Sequence, residues 1–120
     1  EYFLVGGLLE VNLVEATPLS VYDLNFEASA NAPLSLAKSL YGDATIVGTE
    51  NKAGQVTSVK YYGSTDGGDT FALVGATGNH ADLIAWVTTN SGSSTFLYLK
   101  ASMVTASTQL QVVNVTYTKS

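Results

Sequence analysis

A chain of 120 residues, 46% of them hydrophobic and only 12% charged, can bury one substantial core and is too short for two. Five lysines, no arginine and a net charge of -5 argue against nucleic acid or an anionic membrane surface as partner, because arginine is the side chain that grips phosphate bidentately. The absence of cysteine excludes a disulfide scaffold, thiolate metal sites and a cysteine nucleophile. No apolar run approaches the roughly 18 residues of a membrane span. Serine, threonine, glycine and asparagine dominate the polar residues, with threonine alone occurring 14 times, a composition expected of an extracellular protein. The chain opens on Glu1 rather than methionine, as a processed mature terminus or a trimmed chain would.

In chain order, the main signal is short alternating segments separated by turn clusters. Residues 8–16, LLEVNLVEA, alternate Leu9, Val11 and Leu13 with Glu10 and Asn12. Residues 19–27 oppose Tyr22, Leu24 and Phe26 to Val21, Asp23 and Asn25. The next segment, NAPLSLAKSLYGD, breaks this period. Leu36, Ala37, Leu40 and Tyr41 share one helical face, Asn31 suits a cap, Pro33 the first turn and Gly42 the exit, which predicts a helical turn over 33–41. Its alternative is an irregular crossover between two sheets. Strands are predicted at 44–50, 55–63, 70–75, 82–89, 95–101 and 109–118, with a weak addition at 102–108. Glycine falls in nearly every gap between them, and short gaps make antiparallel neighbours. The expected fold is all-β: residues 1–120 form one antiparallel β-sandwich, jelly-roll-like or Ig-like, with seven to nine short strands and one helical turn near 33–41.

Few residue groups suggest chemistry. His80 is the only histidine; Asp82 lies two residues on, but no nucleophile motif accompanies them, and a surface histidine is the expected role. Asp66 and Asp69 flank Gly67 and Gly68, a set of oxygens that suits calcium, although Asp-Gly pairs are equally the chemistry of a hairpin turn. Asp43 or Asp82 would join such a site only if the fold brought their loops together. Asn114-Val115-Thr116 matches the N-glycosylation pattern. Trp86, Tyr61, Tyr62, Tyr98, Tyr117 and Phe96 would make a sugar-stacking platform if several shared an exposed face. Trp86 shares a strand face with Ile84 in this reading, which favours the core, whereas the adjacent Tyr61 and Tyr62 must face opposite ways. No glycine-rich phosphate loop, nucleophile elbow or glycosidase carboxylate pair is present, so no catalytic activity is expected.

The N-terminal segment EYFLVGGLLEVNLVEA is apolar and strand-patterned, and Gly6-Gly7 divides it. An apolar chain end must bury against its own domain or against a neighbour. The second case makes residues 1–14 a donor strand that completes the sheet of the next subunit, with Tyr2, Leu4, Leu9, Val11 and Leu13 at the interface. A head-to-tail contact of this kind does not close on itself and builds a filament. The expected function is therefore a homopolymeric structural subunit of an extracellular filament, pilus or surface layer. The alternative is a small extracellular module that binds carbohydrate or another ligand through its loops.

Overall fold

A computed structural model describes residues 20–92 and 95–120. Among these residues seven strands and one helix follow in the order β1 (Val21–Ala28), β2 (Lys38–Tyr41), β3 (Ala44–Lys52), β4 (Val56–Ser64), β5 (Ala72–Leu73), α1 (His80–Asn90), β6 (Phe96–Thr105) and β7 (Gln111–Lys119). They form two antiparallel sheets, one ordered β1-β7-β3 and the other β2-β6-β4-β5. The expected β-sandwich is present. Residues 8–16, the first expected strand, lie outside the described residues.

Alternation creates the core. Leu24, Phe26 and Ala28 of β1 and Val113, Val115 and Tyr117 of β7 point inward from one sheet; Tyr61 of β4 and Leu97, Leu99, Ala101 and Met103 of β6 point inward from the other. The ring of Phe26 meets that of Tyr61 edge-on at 5.9 Å between centroids, which ties the two layers together. Tyr61 also donates its hydroxyl to Glu50 of β3 at 2.6 Å, and burial pushes its pKa well above the ordinary phenol range. The buried hydroxyl thus has a partner, as a buried polar group requires.

The helical turn expected near 33–41 does not form. Leu34 bridges Ser102, Ser35 N–H donates to the Ala101 carbonyl, and β2 pairs Lys38 with Leu99, so the segment runs along β6. The register slips by one residue between these points. The hydroxyl of buried Ser35 fills the gap, accepting from Ala101 N–H at 2.9 Å and donating to the Leu36 carbonyl. Hydrogen bonds to a waiting sheet edge outweigh a cap and a weak helical period. The expected face is also dispersed, with Leu40 buried and Leu36 81% exposed.

The strand expected at 82–89 is instead α1. Asn79 caps it, accepting from Asp82 N–H at 2.9 Å, while Leu83 and Val87, four residues apart, are its buried stripe. Val87, Thr88 and Thr89 are β-branched, but one narrow apolar stripe is all this helix needs. Trp86 packs from α1 onto Gly63 of β4, so closely that a Cβ there would lie 2.5 Å from the indole ring. The helix thereby covers the β3 side of the sandwich. The weak addition expected at 102–108 proves to be the continuation of β6 to Thr105.

Candidate functional site

The sandwich side opposite α1 is bounded by the two edge strands β1 and β2. One end of it is closed by aromatic rings: Tyr22 stacks on Tyr117 at 5.1 Å and contacts Tyr41 at 5.3 Å. Toward the other end lies a groove of about 280 Å3, lined by Glu27, Ala28 and Ser29 of the β1 end, by Ala32, and by Leu34, Leu36, Lys38 and Leu110. Its three leucines are unusually bare for an apolar lining: Leu34 is 51% exposed, Leu110 61% and Leu36 81%. The slipped register at Ser35 is what throws Leu36 outward. The sequence does not single out Leu34, Leu36 and Leu110 as groove residues, because a helical reading assigns Leu36 to a buried face. The alternation Leu34-Ser35-Leu36 directly after Pro33 was the available signal.

The other expected sites are placed as follows. Tyr2, Leu4, Leu9, Val11 and Leu13 lie outside the described residues. Asp66 and Asp69 sit in the β4–β5 hairpin, where Gly67 and Gly68 take φ of 77° and 89°. The Asp66 carboxylate accepts from Ser64 Oγ at 2.6 Å, from Thr70 N–H at 3.0 Å and from Thr70 Oγ1, which fastens the turn. Asp69 is exposed. Asp43 pairs with Lys119 at 3.3 Å and Asp82 bonds Thr77. No three acidic or histidine side chains converge among the described residues. Asn114 faces outward from the central strand β7, and its side-chain amide donates to Asn25 at 2.7 Å.

The aromatic residues divide between core and surface. Tyr61 and Tyr117 are buried, whereas Tyr62 and Tyr98 lie half-buried on the outward face of the four-stranded sheet. There Tyr62, Phe71, Lys100, Ser102 and Leu34 line a shallow cleft, and Lys100 Nζ sits 4.5 Å from the Phe71 ring centre. His80 begins α1 rather than occupying a surface loop, and its buried Nε2 has no hydrogen-bond partner among the described residues. The Asp82 carboxylate that would orient it accepts instead from Thr77, at 2.8 Å from the N–H and 2.6 Å from Oγ1.

Comparison of the chain with protein-family models, with curated proteins and with solved structures finds no match. Function is therefore read from the site itself. No helix among the described residues is long and apolar enough to cross a membrane.

The two engaged aspartates predict an acid-sensitive fold. Hydrogen bonds from Ser64 and Thr70 hold the Asp66 carboxyl far below its ordinary value, and bonds from Thr77 lower that of Asp82. Both groups bind protons less readily folded than unfolded. Their contribution is therefore complete above the ordinary aspartate pKa of about 3.9 and is lost as pH falls through the depressed folded values. Urea unfolding measured from pH 6 downward should show stability falling below about pH 4. Asp66→Asn and Asp82→Asn should each flatten that fall, and an unchanged slope would assign the acid response to other carboxylates.

Proposed function

We propose that this protein is the repeating subunit of an extracellular filament or surface layer, joined head-to-tail by donation of its N-terminal strand to the next copy. The observation that carries this reading is the groove of bare leucines beside β1, whose outer edge is unpaired among the described residues, in a chain whose N-terminal segment is apolar and alternates with a strand period. An exposed apolar groove of this kind costs free energy in water and is a natural place for an apolar partner. Main-chain hydrogen bonds supply strength in such a joint, and alternate side chains supply specificity. The extracellular assignment rests on the composition: few lysines and abundant serine, threonine, glycine and asparagine.

The test is sedimentation velocity over a concentration series, with negative-stain microscopy of the same samples. Polymers of regular width are expected. A monodisperse monomer at every concentration would reject the proposal. It would favour a second reading, a ligand-binding module whose aromatic cleft at Tyr62 and Phe71 offers ring faces and a lysine to a sugar. A glycan array with wild type and Tyr62→Ala would decide that case.

A further inference from the structure

The sandwich edges are not equivalent, and their differences single out one acceptor. β5 has only two residues, and β2 has four, with a register slip beside it. β3 is broken by an irregularity between Val47 and Asn51, at which Gly48 takes a φ of 70°, and α1 packs against it. Short strands, bulges and covering helices are the ordinary ways of blocking an edge. β1 has none of these. It pairs all eight residues with β7 without a slip, and among the described residues its other side is unpaired. Among the described residues its sheet has three strands and the facing sheet four.

The register also identifies the free main-chain groups. Ala53 N–H donates to the Val112 carbonyl at 3.0 Å, so Val112 directs its main chain toward β3. The alternation of an antiparallel ladder then turns Asn114 the same way and Val113 and Val115 toward β1, where their partners are Phe26 and Leu24. Asp23, Asn25 and Glu27 are left with N–H and C=O groups on the outer edge. A strand added there would lie about 4.8 Å beyond β1. Its inward side chains would continue the row of Leu24, Phe26 and Ala28 and enter the groove beside Leu34, Leu36 and Leu110.

We infer that the outer edge of β1 is the acceptor edge, and that its occupant is residues 8–16 of a second copy of this chain, with Leu9, Val11 and Leu13 in the groove and Glu10 and Asn12 facing solvent. This assignment rests on the strand-donation reading and makes it specific. The nine-residue segment is one residue longer than β1, and its apolar period of two matches the inward row. Donation to a second copy is favoured over a hairpin in the same chain by residues 17–20, TPLS. They contain no glycine, asparagine or aspartate for a tight turn, and a residue preceding proline is biased toward extended backbone. The one hairpin joining neighbouring strands of a described sheet, β4 to β5, turns on two glycines with positive φ.

The experiment uses the full chain and reads polymer by sedimentation and negative stain, and individual amides by hydrogen exchange. Asn25→Pro removes one outward N–H and should abolish polymer, while Asn25→Ala, which keeps that N–H, should polymerise as wild type does. Leu36→Glu alters a side chain already exposed in the subunit, and it should also abolish polymer whether or not the proline variant folds. The amides of Asp23, Asn25 and Glu27 should exchange slowly in polymer and rapidly in monomer. If wild type and Leu36→Glu both polymerise and those three amides stay unprotected, the acceptor edge is wrong while strand donation survives. If the wild type is monomeric, strand donation itself fails; protection of the same amides would then mean that the segment pairs within its own chain.

Discussion

The protein carrying Val11→Asp or Leu9→Asp is expected to remain a folded monomer at concentrations where the wild type is expected to polymerise. In a donated strand these side chains sit between two layers of a neighbour's sandwich, in a groove lined by three leucines and by Lys38. A carboxylate out of reach of Lys38 would be desolvated without a partner, which costs about 3–5 kcal/mol when a buried charge is left uncompensated. At about 1.4 kcal/mol per factor of ten, the subunit–subunit association constant should fall by roughly two to three orders of magnitude. Glu10→Gln, on the opposite face of the same segment, should leave assembly nearly unchanged. The contrast between positions 9 and 11 and position 10 is the informative result, because a general effect of added charge would not follow strand alternation. Loss of folding in the Asp variants, seen as collapse of the thermal transition in dilute monomer, would mean that the segment serves its own subunit's core.

Gly63→Ala is expected to be the more damaging of two conservative changes at the helix–sheet contact. A Cβ on residue 63 would lie 2.5 Å from one ring carbon of Trp86 and within 2.8 Å of two further ring atoms. A rigid indole cannot yield as the tip of a flexible chain can, so α1 must shift away from β4. Overpacking of this kind costs about 1–3 kcal/mol. Trp86→Leu alone should also destabilise, by losing packed aromatic area. Combined with Gly63→Ala, however, it should recover part of the deficit, because the smaller side chain leaves room for the new methyl. Urea denaturation of the four proteins in this double-mutant cycle gives the coupling, and additivity would show that the contact is not the source of the cost.

The residue pattern by itself determined the class of fold. Alternation in VYDLNFEA and QVVNVTYTK places one row of side chains inward wherever a strand is half-buried, and this depends on nothing beyond the period of two. It likewise located the β4–β5 hairpin at Gly67 and Gly68, where positive φ favours glycine. Two segments were legible only in the assembled structure. Residues 33–41 carry helix caps, yet they extend because β6 offers them a ladder. Residues 80–90 carry β-branched side chains, yet they coil because Asn79 and Asp82 close a cap and Gly63 leaves space for Trp86. In both cases local preference is worth a few tenths of a kcal/mol per residue, and a tertiary partner outweighs it. The candidate site divides in the same way. The apolar N-terminal alternation is written in the chain, whereas the groove depends on a one-residue slip at Ser35 and the free edge on which strands pair. Both are long-range facts, fixed only when residues far apart in sequence meet.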